Sequence, residues 1–304
     1  MKKKIVYCIL LFLGLFLIGL IVKKALRNYY FYQAEIYYKK GDSRKALKII
    51  QEGRWFGADL EGYLLIASIQ EKLGNYEKAV EIYSFVTQYS PVHVDIYKKL
   101  GELYLKLKEY KKAMLNFEKA ISLTPQNIML YGGVIEALNK MERNEDVIVY
   151  SKKVIELFPD DYRGYYSLGL KYREQGQYEQ AELEFKEALA RKNDSVMINN
   201  ALAVIYMLKN DYIQAIEQFK ETIKLEKNES MASCLLAVLN EKIGEHETAM
   251  GYLEKAFEQK NGELVEFWER VWEAYATYGN KNLYEAYMLI KEEGTKMVNG
   301  RIVK

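Results

Sequence analysis

Two histidines, His93 and His246, and two cysteines, Cys8 and Cys234, are all the imidazole and thiol chemistry that the 304-residue sequence holds. A catalytic zinc site of three histidines is therefore out of reach, and no paired-cysteine spacing offers a structural one. Cys234 has no histidine near it in sequence to generate a thiolate, so it reads as a small, half-buried hydrophobe. Cys8 lies in an apolar run, which leaves Cys234 without an intramolecular disulfide partner. Tyr131-Gly132-Gly133 lacks the Lys-Ser/Thr that a phosphate-cradling loop requires. Asp160-Asp161 and the Glu/Lys pairs four residues apart supply helix caps and solvated faces rather than a converging acid and base. No catalytic group, metal site or cofactor is implied. The chain reads as a non-enzyme.

Composition bounds what remains. Half of the residues are apolar and only 3 are proline, which suits long helices better than a turn-rich β protein. The net charge of +2 is unevenly spread: Lys2, Lys3, Lys4, Lys23, Lys24 and Arg27 stand in a stretch with no acid, and the rest carries more acid than base. A nucleic-acid binder would keep its basic excess on the folded part, so no nucleic-acid partner is expected.

Those bases flank Ile5 to Val22, 18 residues without a charge. As a helix at about 1.5 Å per residue the run would be roughly 27 Å long, close to the ~30 Å hydrocarbon core of a bilayer. It is apolar on every face, unlike an ordinary core helix. Lys23-Lys24-Ala25-Leu26 follows directly, with no small-x-small cleavage site, so residues 5–22 are expected to be an uncleaved transmembrane anchor rather than a signal peptide. A basic tail over residues 1–4 favours a signal-anchor with the N-terminus inside and the body extracytoplasmic. Counting Lys23, Lys24, Arg27, Lys39 and Lys40 after the run favours the cytoplasmic face instead. No Gly or Pro occurs between Leu20 and Lys40, so the helix should continue as a stiff stalk through Tyr29-Tyr30-Phe31-Tyr32, whose rings suit the headgroup layer.

The remainder repeats. In residues 94–127, Tyr97, Leu100, Gly101, Tyr104, Tyr110, Ala113, Phe117, Ala120 and Pro125 stand at positions 4, 7, 8, 11, 17, 20, 24, 27 and 32. The frame returns in 60–93 (Tyr63, Ala67, Gly74, Tyr76, Ala79, Tyr83), in 162–195 (Tyr165, Leu168, Gly169, Tyr178, Ala181, Phe185), in 196–229 and in 230–263. It is weaker in 27–59 and weakest in 128–161, where Val147, Ser151 and Val154 replace the small and aromatic residues. Each repeat reads as two amphipathic helices. A glycine near position 15 accepts the tight turn between them. Small residues at positions 8 and 20 let the two helices approach, and large ones at 4, 7, 11 and 24 fill the gaps between them.

This pattern resembles the tetratricopeptide repeat. The resemblance implies an all-α fold, an α-α superhelical solenoid of tandem hairpins, preceded here by the transmembrane helix. Seven repeats are expected (27–59, 60–93, 94–127, 128–161, 162–195, 196–229, 230–263), with a capping helix pair and tail over 264–304. Seven or eight such repeats make about one superhelical turn. The resemblance also implies where a protein or peptide partner would sit: positions 2, 5, 9 and 12 of each first helix line the concave groove. In the fifth to seventh repeats these are Tyr166, Leu170, Arg173, Met197, Asn200, Val204, Met207, Met231, Cys234 and Val238. That stretch is apolar, and its three methionines can repack around varied side chains. The amino-terminal repeats offer polar Glu61, Ser68, Glu71, Asp95, Lys98, Glu102 and Lys106. A partner is expected on the apolar stretch, with Arg173 and Asn200 orienting it. The alternative is that these residues pack between neighbouring first helices. The carboxylate clamp of chaperone-tail adaptors is absent, because Lys98 is followed by Glu102 and Gly133.

The function expected is that of a membrane-anchored scaffold, in a bacterial envelope assembly or secretion process. The alternative is a structural subunit of an oligomer, joined through its convex face or through the terminal pair, where Trp268, Trp272 and Tyr275 share one stripe near Tyr278.

Overall fold

Apolar residues at three- and four-residue spacing become thirteen helices among the described residues. The computed structural model describes residues 2–226, 230–245, 247–249, 251–252, 255, 297–298 and 301–302. Side chains are described from residue 11 onward, except those of 230 and 231 and of the four residues near the C-terminus. Most of the second helix of the seventh repeat lies outside the described residues. So does the terminal pair with Trp268, Trp272, Tyr275 and Tyr278. Near the end, Met297–Val298 (β1) pairs antiparallel with Arg301–Ile302 (β2).

The chain divides into two compact units, Met1–Arg143 and Asn144–Lys304. The first holds α1 (Lys2–Lys39), α2 (Ser43–Glu52), α3 (Leu60–Lys72), α4 (Tyr76–Tyr89), α5 (Val94–Lys106), α6 (Tyr110–Leu123) and α7 (Ile128–Lys140). A short 3-10 turn, Arg54–Phe56, separates α2 from α3. The second holds α8 (Asn144–Leu157), α9 (Tyr162–Glu174), α10 (Tyr178–Arg191), α11 (Val196–Leu208), α12 (Tyr212–Leu225) and α13 (Ser230–Lys242). The boundary falls inside residues 128–161, the repeat that keeps fewest of the pattern's residues. There Ser151 stands where other repeats have a ring, and its buried hydroxyl donates to Ser167 Oγ at 2.9 Å.

Helix starts follow from polar side chains at the expected places. Asp42, Asp59 and Asp211 each accept from a backbone N–H three residues on, at 3.0, 3.0 and 3.3 Å. The turn inside each hairpin is the same throughout: the residue at position 15 of each repeat expected from the sequence is left-handed. Four are glycines, Gly41, Gly74, Gly176 and Gly244, and three are Lys108 (φ 60), Glu142 (φ 57) and Asn210 (φ 61). The glycines are legible in the sequence and the other three are not. A non-glycine there costs about 1–2 kcal/mol. Lys108→Gly, at an exposed site, is therefore expected to stabilise the fold by up to about 1 kcal/mol, glycine's chain entropy offsetting part of the gain. Asn210→Gly should gain less, because Tyr212 donates to Asn210 Oδ1 at 2.7 Å. Chemical-denaturation midpoints would show the difference.

Small residues meet large ones in the interior, as the repeat pattern demands. Ala46, Ala79, Ala113, Ala181 and Ala215 are fully buried, and Tyr83, Phe117, Phe185 and Phe219 are buried beside them. The closest fit is at Phe117. A Cβ placed on Gly101 of α5 or on Gly133 of α7 would lie 2.7 or 2.6 Å from its ring. Two glycines on two helices make room for one ring.

α1 is one unbroken helix from Lys2 to Lys39, so the expected continuation past the apolar run is present. Among the described residues no helix is long and apolar enough to cross a membrane. Residues 5–10 of the apolar run precede the first described side chain. Every large residue from Leu11 to Val22 is exposed, from 48% at Leu20 to 71% at Phe12.

Candidate partner-binding face

The first helices of the amino-terminal unit carry charges that neutralise one another. Glu71 on α3 receives Lys99 and Lys106 of α5, each at 3.3 Å. Lys99 also pairs with Glu102 at 3.5 Å, and Lys98 with Glu102 at 3.8 Å. Burial pulls the Lys99 ammonium down, but Glu71 and Glu102 outweigh it and hold its pKa above the ordinary value. Ser68 bonds the Tyr83 hydroxyl at 3.1 Å. This face is largely satisfied by its own side chains.

The carboxy-terminal unit differs. Positions 5, 9 and 12 of a helix are spaced four and three apart and share one face. On α9 they are Tyr166, Leu170 and Arg173, all half-buried. The Tyr166 ring leans on Phe185, with centroids 5.6 Å apart at 49°. Burial pushes its phenol pKa up, while the Arg173 charge pulls it back. Leu170 and Val204 pack their inner sides on the core around Phe185, Leu202 and Phe219. On α11, Met197 is exposed and Asn200 half-buried. Asn200 Oδ1 accepts from the Thr222 hydroxyl at 2.8 Å, so one of its polar atoms is committed to α12.

Three of the ten expected residues are interior: Met207, Cys234 and Val238 are 7%, 4% and 4% exposed. The Met231 side chain lies outside the described residues. Every residue from Ala232 to Asn240 on α13 is buried, so no side chain along that stretch is open to a partner. Tyr166, Leu170, Arg173, Met197, Asn200 and Val204 are what a partner could touch among the described side chains. They form an apolar strip with one guanidinium. Its chemistry is that of recognition, through apolar area, an adaptable thioether and one fixed charge. Among the described residues no group of three His, Cys, Asp or Glu could hold a metal ion.

Sequence reasoning passed over Trp55, at 76% the most exposed large apolar residue described. The signal for it was present. Arg54-Trp55-Phe56 ahead of Gly57 breaks the helix period just where a second helix should end.

Models of the tetratricopeptide repeat match residues 60–93, 94–127, 150–183 and 198–229. The 150–183 match is shifted against the frame of 162–195 and runs from the end of α8 through α9 into the start of α10. No curated protein matches the chain in sequence. Among solved structures it is similar to PilW, a widely conserved type IV pilus biogenesis factor, at 19% identity and TM-score 0.56, over 70% of this chain and 99% of that one. It is likewise similar to PilF of Pseudomonas aeruginosa, at 18% identity and TM-score 0.54, over 69% and 95%. Yeast Tom70 is matched at 15% identity and TM-score 0.55, over 90% of this chain and 58% of that one. At such identities the likeness is one of fold. The chain is an all-α array of helical hairpins that matches the tetratricopeptide repeat over those four segments, and tetratricopeptide repeat proteins are non-catalytic scaffolds.

Proposed function

We propose that this array of tetratricopeptide repeats is a membrane-tethered scaffold that holds a protein partner, a peptide or a helix, against the first-helix face of its carboxy-terminal unit. The observation that carries the binding face is the contrast between the two units. Glu71, Lys99, Glu102 and Lys106 neutralise one another on one face, whereas Leu170, Met197 and Val204 offer partly exposed apolar area on the other. An apolar strip with few charges gains from desolvation by a partner. A neutralised charge network loses the solvation it already has. Arg173 at the end of the strip fixes the direction of the bound segment by pairing with an acidic or carbonyl group.

Tethering is argued from the sleeve of exposed Leu, Phe and Ile side chains between Leu11 and Val22, which no part of the described chain covers. In water such a surface is unstable, and in a bilayer it is solvated on every side. The basic tail at residues 1–4 supports an extracytoplasmic body, and a body on that side would serve envelope assembly or secretion.

The test is a pair of glutamates. Met197→Glu with Arg173→Glu places a carboxylate on the strip and reverses its one cation without entering the core, since Met197 is 43% exposed and Arg173 already carries a charge. Met207 is unsuitable for such a probe, because a carboxylate there would be buried. The double variant should keep its helical signal and thermal midpoint and lose its co-purifying partner. Retention of every partner by a folded double variant would remove the binding face.

A further inference from the structure

The segment Gly53–Gly62, which contains the 3-10 turn Arg54–Phe56, meets α1 at four places. The Phe56 ring stacks on Tyr30, with centroids 5.7 Å apart at 17°. Gly53 lies so near Tyr30 that a Cβ there would come within 2.6 Å of its ring. At Gly62 of α3 a Cβ would come 2.8 Å from the Phe31 ring. Asp59 pairs with Arg27 at 2.9 Å. The turn is thus fixed at the level of residues 27–31 of α1. At about 1.5 Å per residue, Arg27 to Tyr30 lie roughly 8–12 Å beyond Val22, the end of the apolar run. A headgroup layer extends about 5–8 Å past the hydrocarbon on each side. What the turn presents at that height is Trp55, 76% exposed, with the Arg54 guanidinium 5.1 Å from its ring centroid. Tyr29 and Tyr32, 57% and 61% exposed, stand on the same stretch of α1.

From this juxtaposition we infer that Arg54 and Trp55 form a second membrane contact, an interfacial foot that rests in the headgroup layer of the membrane that takes α1. The inference rests on the tethering reading above and adds to it a surface outside the helix. Tryptophan prefers this layer because its ring is apolar and its N–H needs a polar partner. Arg54 supplies a charge for lipid phosphate, and Lys23 and Lys24 add two more at the same boundary. Spanning helices tilt by about 20° on average, and such a tilt toward this side lowers the foot to the outer part of the layer. Phe56 on Tyr30 holds the turn itself, and the Gly53, Asp59 and Gly62 contacts hold the chain on either side of it, so the foot cannot swing away. The helix sets its depth, and the foot in turn fixes the rotation of the body about the stalk. This orients the repeats over the surface instead of letting them spin.

The experiment compares the full chain with its Trp55→Ala variant, both incorporated in vesicles of phosphatidylcholine and phosphatidylglycerol. The difference between the two emission spectra isolates Trp55, and the alanine is tolerated because the side chain is exposed. Trp55 should show blue-shifted emission in vesicles and lose intensity to lipids brominated near the glycerol end of the chain. If the protein floats with the vesicles while Trp55 is quenched by aqueous iodide and untouched by brominated lipid, the foot is wrong and the tether stands. Shielding from iodide without quenching by brominated lipid would mean that a protein surface covers Trp55, and also overturns it. If the full chain does not float, the tether fails and the foot falls with it.

Discussion

Replacing Phe117 by alanine is expected to cost about 3–5 kcal/mol of stability, the upper range for a buried ring. Its ring is 3% exposed and lies between Gly101 and Gly133, neither of which has a side chain that can move into the space. The cavity therefore cannot collapse. The same geometry predicts a reversal of sign at Gly101. In the parent chain Gly101→Ala puts a Cβ at 2.7 Å from the ring and overpacks the contact by about 1–3 kcal/mol. In the Phe117→Ala background that clash is gone and the better helix propensity of alanine remains, so the substitution should be neutral or stabilising by up to about 1 kcal/mol. Urea unfolding of the four chains in detergent, followed by circular dichroism, reads all three differences. Equal effects of Gly101→Ala in both backgrounds would show that the ring and the glycine do not share one contact.

The second large effect lies in the apolar sleeve. Leu13→Arg with Phe16→Arg places two charges near the middle of the run. Each costs about 2.5–3.5 kcal/mol at the centre of a spanning helix, so together they should release most of the protein from membranes into the soluble fraction. The hairpins lie far along α1 from either site and should unfold as before. Alkaline extraction followed by sedimentation measures the release. A double-arginine chain that still sediments wholly with membranes would mean that something other than this helix holds it there.

Much of the fold was legible because the repeat imposes one register on every residue class. Ala113, Ala181, Phe117 and Phe185 are buried where position alone placed them. The left-handed turns at Lys108, Glu142 and Asn210 were not legible, since a lysine or glutamate gives no local sign of positive φ. There the frame of the hairpin overrides the preference of the residue. The binding face was legible only as a set of positions. Whether a position is open depends on what packs over it, and that is a property of the chain elsewhere. Met207 and Val238 are buried while Met197, at an equivalent kind of position, is exposed. Asn200 shows the same limit: the sequence marks it as a hydrogen-bonding group but not that Thr222 already donates to it. The Arg54–Phe56 turn lies within 27–59 at positions for which the pattern specifies no residue, so the pattern that organised everything else was silent about it.

The most direct test of the scaffold reading is position-specific photocrosslinking in intact membranes. A photoreactive residue at Met197, on the apolar strip, is compared with one at Leu183, which is 59% exposed on a second helix. The reading predicts a discrete crosslinked product from position 197 that is absent from position 183 and disappears with Arg173→Glu. The same product from both positions, or from neither, would contradict it.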